Sequence, residues 1–237
     1  MFDIYGILNR FIVYPLYYWK NSDPRLKQLK KLEKNQFLSP NNLEKLQLEQ
    51  LQKLISYAYK HTRYYRKVMD ERGLAPDFIK CLSDIEKLPL LTKSIIQNNL
   101  DDLISSEYDR KYLIKDASGG STGEPTIYYK DLNRHNIRRA DQIRHDRWTG
   151  WDIGKRSALI WGAQRDLKSV QSKKEHIISR YIARHWELDA FEMTIEKMHS
   201  FVTELEKIQP AMILGYANAL TQFADFVINN HPHHKIK

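Results

Sequence analysis

Residues 117–126 read Ala117-Ser118-Gly119-Gly120-Ser121-Thr122-Gly123-Glu124-Pro125-Thr126, and the setting of this stretch between its neighbours decides the fold class. Tyr112-Leu113-Ile114 before it and Thr126-Ile127-Tyr128-Tyr129 after it are rich in β-formers, so the spacing predicts strand, loop, strand. Three glycines free the backbone to take positive φ and let a ligand approach closely, while hydroxyls and a row of N–H groups face outward. Such a loop can cradle phosphate, and it can equally be an ordinary flexible hairpin. One alternative is removed at once. A Walker A loop opens a helix and needs G-x-x-x-x-G-K-[ST], and neither condition is met here.

Outward from the loop, the second half of the chain alternates helix and strand. Residues 132–148 are helical and basic in pattern, Ser157-Ala158-Leu159-Ile160-Trp161-Gly162 reads as a buried strand ending at glycine, and Ala211-Met212-Ile213-Leu214-Gly215-Tyr216 reads as another with a helix after it. Helices are expected at 169–185 and 194–208. This alternation predicts an α/β fold, a sheet flanked by helices, over 111–237. Trp161 and Gly162 end a strand where α/β sheets place ligands, which makes them candidates for an acyl or nucleotide pocket beside a plain packing role.

Residues 1–110 lack strand patterns and are expected to form a helical N-terminal region packing on that core. Leu26, Leu29 and Leu32 recur at threes, and Ser39-Pro40 is a helix-start signal because serine can cap and proline fits the first turn. Leu43, Leu46, Leu51, Leu54, Ile55 and Ala58 then follow at largely helical intervals, with Gln52 and Lys53 assigned to the outside. Thr92 is placed to cap a short helix through Asn99. The aromatic stretch Phe2–Trp19 is broken by Asp3, Asn9, Arg10 and Pro15, so it suits neither a membrane span nor a secretory signal. Packing on the protein's own body is expected, with a membrane-surface contact through Tyr14, Tyr17, Tyr18 and Trp19 as the other reading.

Composition bounds the chemistry. With 237 residues the chain can bury a real core, and its single cysteine, Cys81, excludes an internal disulfide framework and a cysteine metal site. A cytoplasmic setting follows as the expectation. A formal charge of +9 suits nucleic acid, anionic lipid or a phosphorylated small molecule. Arg134, Arg138, Arg139, Arg144 and Arg147, interleaved with Asp141 and Asp146, read as a solvated helix face, and without an RRM, KH or zinc-finger pattern no nucleic-acid partner is expected. His185, His199, His231 and His233 lack metal-ligand spacing, so no metal site is expected among them.

The letters Ser118-Gly119-Gly120-Ser121-Thr122-Gly123-Glu124-Pro125 resemble the phosphate-binding loop of the adenylate-forming enzymes, in the form used by phenylacetate-CoA ligases and CapK-type capsular polysaccharide proteins. Flanking stretches agree in order. Gln36-Phe37-Leu38-Ser39 resembles that family's Q-W-L-S, Tyr64-Tyr65-Arg66 its P-Y-Y-R, Leu88-Pro89-Leu90-Leu91-Thr92-Lys93 its L-P-x-x-T-K, Trp161-Gly162 its W-G, and Gly215-Tyr216-Ala217-Asn218-Ala219-Leu220 its G-Y-P-S-A-L. Thr126 stands where larger relatives often carry lysine, and Arg63 where they carry proline.

The resemblance implies the N-terminal part of the large domain, with ATP and Mg²⁺ as cofactors. Ser118, Gly119, Gly120, Ser121, Thr122 and Gly123 would hold the phosphates, and the other substrates would be a small carboxylate and then CoA or another acceptor. It implies a ligase serving polysaccharide or secondary-metabolite biosynthesis. The family's Y-G-x-x-E motif, ribose-binding aspartate and catalytic lysine belong to sequence beyond residue 237, so the chain is expected to resemble half of an enzyme, inactive alone. An alternative is the non-catalytic, nucleotide- or partner-binding half of a split enzyme. A C-terminal partner chain or self-association is the expected consequence of an uncovered sheet edge.

Overall fold

The computed structural model describes residues 3–118, 125–162 and 177–233. They fall into two compact units, one formed by Met1–Leu29 with Arg139–Lys237 and the other by Lys30–Arg138. This division differs from one at 110/111, because the first helices belong with the parallel sheet rather than with the helical segment that follows them.

The unit Lys30–Arg138 is mainly helical. It takes in most of α3 (Arg25–Asn35), then α4 (Pro40–His61), α5 (Arg63–Glu71) and the short α6 (Lys93–Asn98) and α7 (Leu100–Leu103). Caps chosen by sequence fix the starts. Ser39 Oγ accepts from Asn42 N–H at 3.4 Å with Pro40 in the first turn, and Thr92 Oγ1 accepts from Ile95 N–H at 3.2 Å. Ile55 of α4, Met69 of α5 and Ile79 form a buried cluster, with Leu48, Leu51 and Leu74 against it. Leu43 and Leu54 lie exposed; Gln52 is exposed as expected and also sends its amide to Ile79 O at 2.9 Å. A buried carbonyl needs a donor more than the cluster needs another leucine.

The hairpin closes this unit. β1 (Ile114–Ala117) and β2 (Ile127–Lys130) pair antiparallel, from Ala117 opposite Ile127 to Ile114 opposite Lys130. Tyr112 and Leu113, read as strand, instead complete a 3-10 turn over Arg110–Tyr112 that Asp109 caps, accepting from Lys111 N–H at 3.1 Å. Asp capping this turn outcompetes the β propensity of two residues.

The other unit is α/β. Three parallel strands are ordered β4 (His185–Asp189), β3 (Ser157–Trp161), β5 (Met212–Gly215). The helices α8 (Leu132–Trp148, which begins in the preceding unit), α9 (Ile195–Ile208) and α10 (Ala217–Asn230) match the helical patterns of the sequence. Ala158, Ile160 and Leu188 on one sheet face meet Phe201, Val202 and Leu205 of α9 and Phe223 and Phe226 of α10, which makes the main core. The helix expected over 169–185 is corrected at its end. Residues 169–176 lie outside the described residues, a π-helical turn covers Ile178–Ala183, and His185 opens a strand. Glu187 and Asp189 hid that strand, since acidic residues are depleted from strands and mask its alternation.

The N-terminal helix runs as α1 (Ile4–Leu8), a π turn over Asn9–Val13, and α2 (Tyr14–Lys20). It docks on this unit through polar groups. Asp3 caps α1 by accepting from Gly6 N–H at 2.9 Å and pairs with Arg184 Nη1 at 2.8 Å. Arg184, only 4% exposed, also donates to Gly154 O. Asn9 Nδ2 donates to the carbonyls of Tyr181 at 3.0 Å and Ile182 at 3.2 Å, and Tyr14 and Tyr18 are buried beside Arg25. No helix among the described residues is long and apolar enough to cross a membrane.

Candidate functional site

Of the residues expected from the sequence to hold phosphate, Ser118 is described, and Gly119, Gly120, Ser121, Thr122 and Gly123 lie outside the described residues. The base of the loop is closed by two bonds: Ser118 N–H donates to Thr126 O at 2.9 Å, and Thr126 N–H donates to Ser118 Oγ at 3.0 Å. These continue the ladder one step past Ala117 and Ile127, so the hairpin hands the loop over with both ends pinned. The Ser118 hydroxyl keeps its own hydrogen to donate. Thr126 is 5% exposed, and its Oγ1 finds no hydrogen-bond partner among the described residues. A buried hydroxyl without a partner costs about 1–3 kcal/mol, which a group arriving at the loop base would recover.

The charges on the hairpin are settled locally. Asp116 Oδ2 accepts from Lys130 Nζ at 2.7 Å and from Tyr128 OH at 3.1 Å, and Ala117 N–H donates to Oδ1 at 2.8 Å. The Lys130 ammonium is the main cause that holds the Asp116 carboxyl down to about 2, so the pair is a neutral unit beside the loop. Arg110, bonded to Tyr129 OH at 2.7 Å, is also tied to Asp101 at 2.7 Å. In the same unit a cleft of about 680 Å³ beside α4 is lined by Lys53, Lys60, His61, Lys80, Glu49 and Asp77, among others. Among the described residues of the loop and hairpin, none lines it.

In the parallel-sheet unit, the carboxyl ends of the strands carry the other two sequence candidates. The Trp161 ring stacks on Tyr216, centroids 4.1 Å apart and planes 20° apart, and both rings remain substantially exposed. Tyr216 occupies the N-cap position of α10 without a side-chain cap, so the first N–H groups of that helix open beside the aromatic pair. Gly162 is needed for the approach of β4. A Cβ there would meet Asp189 Oδ1 at 2.7 Å, and that carboxylate is fixed by Phe191 N–H at 2.8 Å. Gly215 plays the same part on the other side, where a Cβ would meet Ile160 O at 2.7 Å. Tyr216 stood within a recognised stretch but without a role, and Asp189 gave no local signal, since only strand pairing brings it to Gly162.

His185 lies at the opposite, amino end of the strands. Its Nδ1 bonds Ser157 Oγ, its register partner, and its ring faces Trp151 at 6.2 Å. Burial, aided by the Arg139 charge, lowers its pKa to about 4. As pH falls from about 6.5, the unfolded chain takes a proton that the folded chain refuses, so the stability of this unit is full above that pH and declines towards pH 4. The limiting loss is about 3 kcal/mol at about 1.4 kcal/mol per pKa unit. Urea melts from neutral pH to pH 4.5 are expected to show His185→Gln with a flatter profile than wild type; parallel profiles would refute the assignment.

His199 Nδ1 lies 2.7 Å from His231 Nε2, and among the described residues no group of three or more His, Cys, Asp or Glu is placed to share a metal ion. In α8, Arg144 faces Asp141 at 3.5 Å, and Arg147 is bound by Asp152 at 2.8 Å.

No family model matches the chain. It is similar to protein CapK of Staphylococcus aureus, 25% identical over 195 residues that cover 80% of this chain and 41% of CapK. It is also similar to the phenylacetate-coenzyme A ligase of Aromatoleum evansii, 34% identical over 96 residues, 40% of this chain and 22% of that enzyme. Among solved structures, 2-hydroxyisobutyryl-CoA ligase, crystallised with 2-HIB-AMP and CoA, superposes with a TM-score of 0.64 over 83% of this chain and 42% of that one, at 17% identity. The fold is therefore that of the corresponding part of an adenylate-forming ligase. The chain spans about two-fifths of the length of CapK.

Proposed function

We propose that this chain supplies the ATP-phosphate-binding part of a carboxylate-activating, AMP-forming ligase of the phenylacetate-CoA ligase and CapK type. The observation that carries the reading is the hairpin: the loop leaves β1 and returns into β2 with its base locked by Ser118 and Thr126, as a phosphate clamp between strands requires. In the reaction a carboxylate oxygen attacks the α-phosphorus of ATP. The new O–P bond forms as the bond to the bridging oxygen breaks, and pyrophosphate leaves with the electron pair. A thiol such as that of CoA then attacks the acyl carbon and AMP departs.

Loop N–H groups at Gly119, Gly120, Thr122 and Gly123, with the hydroxyls of Ser118, Ser121 and Thr122, would hold the phosphates in line and offset the charge that builds on them. Mg²⁺ would add charge neutralisation on the phosphates themselves. Trp161 and Tyr216 offer a flat apolar face for an acyl group or a base, with the carboxyl ends of β3 and β5 behind it. The reading extends to a polysaccharide or secondary-metabolite pathway through the resemblance to CapK-type proteins, and to the cytoplasm through the single cysteine.

Catalysis in this reading also needs the sequence that completes the relatives, in the same or a separate chain, since the ribose, magnesium and lysine contacts are assigned there. The outer edges of β4 and β5 are unpaired among the described residues, which supports further strands or a partner chain joining the sheet. The expected result is that AMP release from ATP, screened over aryl and alkyl carboxylates, stays at background with residues 1–237 alone and appears once the completing sequence is supplied. Robust turnover by 1–237 alone would overturn this division of labour. Tighter binding of a short DNA than of ATP would overturn the function itself.

A further inference from the structure

The N-terminal helix carries its polarity inside out. Asn9 is fully buried, with its amide spent on the carbonyls of Tyr181 and Ile182, and Gly6 faces inward beside it. Facing out are Ile4, Ile7, Leu8, Phe11, Leu16 and Trp19, with Phe11 67% and Trp19 79% exposed. A helix bathed in water is selected for the reverse arrangement, and a single exposed leucine needs no explanation, whereas a continuous stripe does. At 1.5 Å per residue, Ile4–Lys20 gives a stripe about 25 Å long.

Three features choose the occupant. The stripe ends in an exposed indole at Trp19, the kind of amphipathic ring that meets a lipid headgroup layer. Both acids of residues 3–29 are neutralised, Asp3 by Arg184 at 2.8 Å and Asp23 by Arg25 at 2.7 Å. Lys20 and Lys27, by contrast, are exposed and carry no ion pair among the described residues. The segment that carries the stripe is thus net positive, with Lys20 next to Trp19 in the sequence, in a chain of formal charge +9.

We propose that this face of the helix inserts into the interfacial layer of a bilayer containing anionic phospholipid, anchoring the α/β unit to a membrane surface without spanning it. The insertion uses apolar burial for its strength and the lysines for lipid preference. The polar docking contacts of Asp3, Asn9 and Arg184 hold the helix on the protein while its other side is in lipid. This inference does not depend on the ligase reading.

The test is flotation of the full chain with phosphatidylcholine vesicles that contain about one-third phosphatidylglycerol, against pure phosphatidylcholine. The expected result is binding to the anionic vesicles and at least about tenfold weaker partitioning by the triple variant Phe11→Ser, Leu16→Ser, Trp19→Ser. Its thermal melt should be unchanged, because these side chains face out. Lys20→Glu with Lys27→Glu should abolish the preference for phosphatidylglycerol while leaving residual binding. Failure of wild type to float with anionic vesicles would overturn the proposal, as would equal flotation of the triple variant. So would a concentration-dependent dimer that the triple variant loses in the absence of vesicle binding, since the face would then be an interface between copies.

Discussion

Replacing Gly120 and Thr122 together by valine is expected to lower ATP–pyrophosphate exchange by about 100-fold or more in the chain completed by the remaining ligase sequence. The two substitutions act differently. Valine at 120 adds a branched Cβ where, in the proposed role, the phosphate would approach the backbone, and it resists any positive φ there. Valine at 122 keeps the volume of threonine and removes only its hydroxyl. Loss of one aligned donor at a developing charge costs about 3–4 kcal/mol in other enzymes, which sets the scale. The base of the loop should survive, since Ser118 and Thr126 are untouched, so the melt of the variant should match wild type and the loss should fall on rate. Exchange at the wild-type rate would remove the loop from the mechanism.

Gly154→Ala is expected to destabilise the parallel-sheet unit by about 3 kcal/mol or more and to release the N-terminal helix to proteases. Gly154 sits at φ +87°, and a Cβ on it would lie 2.2 Å from Gly6 O, a backbone atom that cannot step aside. Gly6 is held in turn by the Asp3 cap and lies against Arg184, so the clash falls on the contact that docks the helix. Gly150→Ala is the matched control. Its φ is +88° and nothing lies within 4 Å of an added Cβ, so it carries only the conformational cost of about 1 kcal/mol. For a chain of this length, 1 kcal/mol moves Tm by about 2–4 °C. Equal melts for the two alanine variants would show that the Gly6–Gly154 approach contributes nothing.

Most of the local structure was legible because its causes lie within a few residues. Ser39 and Thr92 cap helices through an N–H three residues on, and α8, α9 and α10 fall where the sequence was read as helical. The stretch 117–126, flanked by β-formers, read as a hairpin connection, and the apolar runs at 157–162 and 211–216 read as strands; the first is largely buried up to Ile160, whereas Met212–Gly215 is only half-buried. Those features place the chain among α/β folds, and the letters of the loop point to its relatives.

What lies far apart in sequence had to be decided by packing. β4 is a strand because β3 offers it partners from Ser157–His185 to Trp161–Asp189; alone, its charged, mixed sequence has no β signal. The same pairing delivers Asp189 to Gly162, and the β5–α10 turn delivers Tyr216 to Trp161, so the aromatic pair at the strand ends exists only in the folded unit. The first helix was visible as an apolar, interrupted segment, but its orientation was not. Asn9 turns inward to donate its amide to the Tyr181 and Ile182 carbonyls and Gly6 to let the Gly154 backbone approach, contacts some 150 to 170 residues away, and that choice leaves Phe11 and Trp19 outside. Periodicity reports which side chains share a face of a helix, whereas long-range hydrogen bonds and close backbone approach decide which face the protein covers.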